Sequence, residues 1–370
     1  STNSATVALT VTSTSLTHTN LSPANGAVNL CYDTLLRIKF NEAPVLGAGQ
    51  IRIYDAADVL VDTIDLAANN GAGAQAYAIG GATYNAYPIL ISGTTATIYP
   101  HLNLLTSNTT YYVIVDAGVF RDAVNASHAG ISSPTAWRFT TKTAGPDSGT
   151  VTTVTVAADG SGDFCTVQGA IDWVPNANTT PVQVNIKKGV YEQINRINGK
   201  NNVRFQGEDC EQTILTYRNN DLLNGGTTLR VMFYAGGNDH VFANLTLTNG
   251  TPQGGSQAEA LRVQGGRIIV DNCKLASYQD TILINTANTS AGYFNKCLVQ
   301  GDVDFIWGSG IGYFKSCEIR SMLRPGNAQG VTTQARSGAG VYGLIFYDCD
   351  LTRSSSTMTN WSLGRDANTS

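Results

Sequence analysis

Four cysteines recur in one local setting. Asn272-Cys273-Lys274-Leu275, Lys296-Cys297-Leu298-Val299, Ser316-Cys317-Glu318-Ile319 and Asp348-Cys349-Asp350-Leu351 each read polar, Cys, any residue, aliphatic, with the cysteines 24, 20 and 32 residues apart. Self-similarity at periods of roughly 20 to 50 residues is the signature of a solenoid. The intervening segments are short and β-rich without helical periodicity, which selects a parallel β-helix whose coils close in a little over twenty residues unless a loop is inserted. Residues at one register of successive coils stack about 4.8 Å apart, so Cys273, Cys297, Cys317 and Cys349 are expected to form an inward ladder of small hydrophobes. A zinc site is the rival reading, but the close C-x2-C or H-x3-H pairs such sites use do not occur. Seven cysteines in 370 residues are too sparse for a disulfide scaffold, and the odd number leaves at least one unpaired.

Composition agrees with a β-rich chain. Only 14% of residues are charged and 38 are Gly, which excludes a helical bundle or coiled coil. The net charge of -4 is evenly spread, with 6 Lys/Arg against 8 Asp/Glu in residues 1–146 and 17 against 19 in residues 147–370. Neither half offers the basic patch that nucleic acid requires. No apolar run approaches the length of a membrane span, and the polar, Thr/Asn-rich composition fits an extracellular, secreted protein.

A chain of this length calls for more than one domain. Residues 1–18 read as a Thr-rich linker or strand remnant. Residues 19–143 carry short alternating segments between turns, among them Leu36-Arg37-Ile38-Lys39-Phe40 and Thr110-Tyr111-Tyr112-Val113-Ile114-Val115, the pattern of an all-β sandwich. Tyr77, Tyr84 and Tyr87, in a Gly/Ala-rich stretch, offer either an aromatic platform for sugars or loop packing, and packing is the weightier reading. The stretch Ala144-Gly145-Pro146-Asp147-Ser148-Gly149 is the natural boundary, and residues 150–370 form the solenoid. That part opens with a strand over 151–157, a turn at 159–163 and a short helix over 166–173 that Pro175 ends.

The repeat also places acids. Asp280 lies seven residues beyond Cys273 and Asp304 seven beyond Cys297, which puts two carboxylates at one register of neighbouring coils. Two carboxylates so close do not ionise comfortably together. Spacing alone leaves open that both merely occupy solvated turns. Arg324 stands at the same offset from Cys317, although the changed coil length weakens that equivalence.

The local sequences around these positions resemble the pectin methylesterase family of carbohydrate esterases. Gly160-Ser161-Gly162-Asp163-Phe164 with Thr166-Val167-Gln168 is similar to that family's opening turn and capping helix, and Gly189-Val190-Tyr191-Glu192 to its G-x-Y motif. Gln257-Ala258-Glu259-Ala260-Leu261 resembles Q-A-V-A-L, Tyr278-Gln279-Asp280-Thr281 resembles Y-Q-D-T, and Gly301-Asp302-Val303-Asp304-Phe305-Ile306-Trp307-Gly308 resembles G-x-V-D-F-I-F-G. Leu363-Gly364-Arg365 matches the start of L-G-R-P-W. In this order the motifs are specific, and they cover roughly residues 150–366. The opening Ser22-Pro23-Ala24-Asn25-Gly26-Ala27 and closing Trp137-Arg138-Phe139-Thr140-Thr141 resemble bacterial Ig-like modules, which usually act as spacers.

The resemblance implies a right-handed parallel β-helix that removes methyl groups from esterified polygalacturonate, with pectin as its partner and neither nucleic acid nor membrane, acting as a monomer without metal or organic cofactor. Asp304 would be the nucleophile, Asp280 the acid that protonates methanol and then the base that activates water, and Gln257 and Gln279 the donors to the oxyanion. Arg365 would pair with Asp304, holding it ionised while Asp280 stays protonated. Trp307, Tyr278 and Phe305 are the substrate-contact candidates, with core burial the stronger expectation for Phe305. Asp366-Ala367 stand where the family has Pro-Trp. The chain stops at Ser370 where relatives continue through further coils and a helical segment, so a C-terminally truncated esterase domain is expected.

Competing functions remain at this point. A serine hydrolase has only His240 beyond the boundary and no G-x-S-x-G elbow, and His240 reads as structural. A β-helix polysaccharide lyase would use Asp280, Asp302 and Asp304 as a calcium cluster. A non-catalytic glycan-binding protein would place the function in the Ig-like module, and an esterase acting on another ester or thioester would keep the same residues.

Overall fold

The computed structural model describes residues 15–68 and 73–365. Most of the Thr-rich start therefore lies outside the described residues, as do Asp366 and Ala367, whereas His18–Ser22 is already a strand of the sandwich. Of the described chain, the first part folds as two antiparallel-rich sheets. One has the strands His18–Ser22, Leu36–Phe40, Thr95–Ile98 and Ile89–Ser92 side by side; the other orders Ala27–Leu30, Arg138–Thr141, Thr110–Val115, Gln50–Asp55 and Leu60–Asp65. Strict alternation along Leu36–Phe40 turns Leu36, Ile38 and Phe40 inward, where they meet Ile51, Ile53, Val113 and Phe139 around fully buried Trp137. The Trp137 indole satisfies its buried N–H on the Pro23 carbonyl at 2.8 Å.

The second part is a parallel β-helix of three sheets, with eight, seven and seven strands. Its coils explain the cysteine repeat. The polar residue before each Cys occupies a sharp corner with left-handed backbone, at φ 49° for Asn272, 52° for Lys296, 51° for Ser316 and 54° for Asp348. Left-handed backbone is costly for L-residues other than Gly and mildest for Asn and Asp, so the corner prefers a polar residue. The Cys that follows points inward beneath the bend. Cys273, Cys297 and Cys317 are each 2% exposed, and their thiols reach main-chain carbonyls, Cys297 to Val270 at 3.3 Å and Cys317 to Phe294 at 3.4 Å. Cys349, in the last described coil, is half-buried. The aliphatic residues two positions on, Leu275, Val299 and Ile319, fill the interior beside a column of stacked Phe294, Phe314 and Phe346 rings.

The N-terminal end of the solenoid is covered by the helix Val167–Trp173, which buries Val167, Ala170 and Ile171. Thr166 caps it, its hydroxyl accepting from the Gly169 N–H at 3.0 Å. The sandwich completes that cap. Asp33 accepts from the Cys165 N–H at 2.9 Å, the Thr166 N–H at 2.8 Å and the Thr166 hydroxyl at 2.6 Å, so a carboxylate from one domain neutralises the helix start of the other. The hairpin Gln75–Ile79 with Ala82–Ala86 lies on the solenoid, and Tyr77 and Tyr84, at 4% and 0% exposure, belong to the solenoid's own core cluster. Their rings pack, so they are not an exposed platform for sugars.

Removing the Asp33 carboxylate strands two main-chain donors at this joint, and such groups cost about 1–3 kcal/mol each when left unpaired. Asp33→Ala is therefore expected to lower the urea midpoint of the whole chain. A midpoint equal to that of the unaltered protein would mean the two domains do not share this joint in solution.

Candidate active site

The second and third sheets meet at another corner, and there the coil register delivers chemistry. Ile282 pairs with Ile306 and Gln279 bridges to Val303, so Asp280 stands opposite Asp304 on the next coil. Both adopt left-handed backbone, with φ of 66° and 46°, and non-glycine residues in this region are held there by their surroundings. Gly301 is part of what holds them. A Cβ at Gly301 would come within 2.2 Å of Phe305, so only Gly allows the chain to fold Phe305 in beneath the corner and leave Asp304 outside. Phe305 is accordingly fully buried among core residues, and it cannot line a sugar cleft.

One coil earlier the register brings in a residue that motif reading passed over. Leu261 pairs with Ile282, and the Ala258 N–H donates to the Gln279 carbonyl at 3.2 Å, which sets Glu259 opposite Asp280. Three carboxyl groups, Glu259, Asp280 and Asp304, thus follow one another on successive coils, at 0%, 6% and 3% exposure. Glu259 stands where the resembled motif has Val, and that departure was the available signal.

Two guanidinium groups answer the three carboxyls. Arg365 grips Asp304 with both ends of its fork, Nε to Oδ1 at 2.8 Å and Nη2 to Oδ2. Arg230, which no motif marks, lies flat on Glu259, Nε reaching both oxygens at 3.0 Å and Nη2 reaching Oε1 at 2.8 Å. The same Nη2 donates to Asp280 Oδ2 at 2.7 Å. Asp280 therefore has only a share in a cation already committed elsewhere. Burial drives its carboxyl well above the usual carboxylate range, reinforced by the charges of Glu259 and Asp304 and opposed by Arg230 and Arg336. Burial also raises Glu259, and there its bidentate hold on Arg230 opposes the shift directly.

The other expected residues frame this centre. Gln257 and Gln279 are half-buried on adjacent coils, the Gln257 side-chain oxygen accepting from the Ser256 hydroxyl at 3.1 Å. Tyr278 is half-buried beside them. Trp307 is 4% exposed, its ring between Arg336 at 4.5 Å and Arg230 at 5.6 Å, and its buried indole N–H has no partner. Arg324 is not the next member of the ladder. The chain between the strands Glu318–Ser321 and Gly330–Ala335 is lengthened by a short 3-10 turn, Val331 takes the place opposite Val303, and Arg324 instead faces Asp302 at 3.9 Å.

Asp302 also accepts from Gln253 at 2.8 Å, so it turns away from Asp280 and Asp304. Among the described residues the one group of three metal-type donor atoms within 4.8 Å is Cys31, Asp33 and Cys165, and there Asp33 is committed to the helix cap. The three aspartates a calcium-dependent lyase would use do not converge. His240 is fully buried, one ring nitrogen 2.9 Å from the Gly236 carbonyl and the other accepting from the Val203 N–H, which is a structural role.

A raised carboxyl is a cost to the fold at neutral pH. Below about pH 3.9, the ordinary Asp value, Asp280 is protonated folded or unfolded; above it the unfolded chain ionises freely while the folded one resists, so stability is lost as pH rises towards the folded value. Asp280→Asn is therefore expected to gain stability over the unaltered protein between pH 4 and pH 7 in urea titrations. A margin that stays flat or falls over this range would contradict the buried proton.

Residues 153–366 match the family model described as pectinesterase, and residues 12–141 the one described as bacterial Ig-like domain. "Pectinesterase 31" of Arabidopsis thaliana is 32% identical over 212 residues, which is 54% of this chain and 64% of that protein; a "Pectinesterase" of Petunia integrifolia is 33% identical over 202 residues, 53% of each. The chain thus spans less than two thirds of the length of these curated relatives. Among solved structures, pectin methylesterase from carrot superposes with a TM-score of 0.54 at 28% identity over 58% of this chain and 69% of that one. PemA from Erwinia chrysanthemi gives 0.51 at 25% over 58% and 70%. With its coils, its motif order and more than half its length accounted for in this way, the chain belongs to the pectinesterase family.

Proposed function

We propose that the protein hydrolyses the methyl esters of polygalacturonate through an aspartyl nucleophile, with release of methanol. The observation that carries this reading is the unequal treatment of two in-register carboxyls: Asp304 is matched by the full fork of Arg365, whereas Asp280 is buried with a shared cation. One is an anion aimed by its partner and the other a proton donor, which is the division of labour that acyl transfer needs.

In this reading an Asp304 oxygen attacks the ester carbonyl carbon. The carbonyl oxygen becomes an oxyanion that accepts from the side-chain amides of Gln257 and Gln279. Collapse breaks the bond to the methoxy oxygen, which takes the Asp280 proton and leaves as methanol, and a mixed anhydride joins substrate to Asp304. Asp280, now a carboxylate, removes a proton from water as it attacks the anhydride; the acid product leaves, Asp304 returns to its anion and Asp280 to its protonated form. Trp307 and Tyr278, flanking this corner, are the substrate-contact residues of the proposal. A related pectin methylesterase structure, 25% identical, is of a complex with a hexasaccharide, which supports an oligomeric galacturonate substrate here. A cell-wall polymer is met outside the cell, and secretion follows from that substrate.

Methanol release from highly methylated pectin tests the proposal, measured with and without a calcium chelator. Release that withstands the chelator and disappears in Asp304→Ala is expected, and Gln279→Ala should lose on the order of 10²-fold in kcat. An unsaturated sugar product without methanol, or undiminished release by Asp304→Ala, would refute it.

A further inference from the structure

The segment between the strands Thr213–Tyr217 and Phe233–Ala235 is a long excursion of the coil, and it delivers Arg230 to Asp280. Such a segment has a large conformational entropy to lose, and something must hold it. Its hydrogen bonds lead out of the solenoid. The Asn219 amide donates to the carbonyls of Leu229 and Val231, both at 2.7 Å, and so grips the main chain on either side of Arg230. The Asn219 side-chain oxygen accepts from Asn224 at 2.8 Å. The same Asn224 amide donates to the Asn85 carbonyl at 2.9 Å, and its oxygen accepts from the Asn85 N–H at 2.7 Å. Asn85 lies in the sandwich hairpin, and its own side chain donates to the Leu223 carbonyl at 2.9 Å. Asn219 and Asn224 are 0% and 3% exposed, so these bonds are not traded with water. A second grip lies just upstream, where the Tyr87 N–H donates to the Tyr217 hydroxyl at 2.8 Å.

We propose that the Ig-like module is a working part of the active site: its hairpin, through Asn224 and Asn219, positions Arg230 against Asp280. Asn224 is thus a positioning residue, and the module does more than space the enzyme from its surroundings. The inference rests on the reading of Asp280 as the proton donor and acceptor of ester hydrolysis.

The groups that face Asp280 are Arg230, Glu259, Asp304, Arg336 and Arg365. Withdrawing Arg230 from this set removes a cation, so Asp280 keeps its proton to higher pH and the alkaline limb of the rate profile moves up. A change that merely loosened the fold would lower activity without that shift.

The test uses the full chain, with Asn224→Ala as the main variant and Asn103→Ala as control. Asn103 makes a different bond between the domains, to Asp172 at 3.1 Å, away from this chain of contacts. Amide hydrogen exchange at Leu229, Arg230 and Val231 is expected to quicken in Asn224→Ala and not in the control. On methylated pectin, kcat should fall by up to about 10²-fold with KM little changed. The alkaline limb should move to higher pH, and Asn224→Ala should cost nothing further once Arg230 is already Lys. Unchanged exchange at these amides, an unchanged kcat, or losses that multiply in the double variant would overturn the proposal. If Asn224→Ala does not fold, Asn85→Ala, which removes only the bond to Leu223, carries the same readouts with a smaller loss. If the unaltered protein releases no methanol, it is the reading of Asp280 that fails, and the exchange rates alone decide whether the hairpin holds Arg230.

Discussion

Three buried carboxyl groups stand on successive coils and two guanidinium groups answer them. Arg365 is committed to Asp304 and Arg230 chiefly to Glu259, so the middle carboxyl, Asp280, has only a share of a cation, and burial drives it well above the usual carboxylate range. Burying a carboxylate with only a shared cation costs more than burying one that a guanidinium matches with its whole fork. The solenoid is what makes the arrangement possible. Only a stack of coils in register brings residues 21 and 24 positions apart to the same corner, and only rigid neighbours on both sides hold like groups so close.

The corners themselves do structural and chemical work by the same means. At one, left-handed residues such as Asn272 and Lys296 turn the chain so that a cysteine fills the space beneath. At the other, left-handed Asp280 and Asp304 turn their carboxyls out of the core while Phe305 goes in under Gly301. In both cases backbone strain is offset by burial of the residues that follow. The Asp280 corner costs the fold stability, since an ionised Asp280 would be easier to accommodate in water than where it stands.

Much of this was legible in the sequence because the repeat supplies its own ruler. Equal offsets from Cys273 and Cys297 place Asp280 and Asp304 together without any coordinates, and the motif order adds Arg365, Gln257 and Gln279. The ruler fails wherever a coil is lengthened. Arg324 has the right offset from Cys317 but sits at the start of an inserted turn, in a lengthened coil, and Arg230 lies in an excursion with no repeated Cys to count from. Glu259 was visible as a departure from the family motif, yet its meaning needs its partner, and that partner is supplied by the excursion. The role of Asn85 and Asn224 was beyond reach for a simpler reason: these two residues, 139 positions apart in sequence, join the two domains through amide groups, which carry no pattern.

The most direct test is where the proton resides. Carboxyl 13C chemical shifts of the aspartate-labelled protein, followed through pH with Asp280→Asn to identify the resonance, read that site alone. The account predicts an Asp280 carboxyl still protonated at pH values where the exposed aspartates have ionised. An Asp280 that titrates together with the exposed aspartates would contradict it.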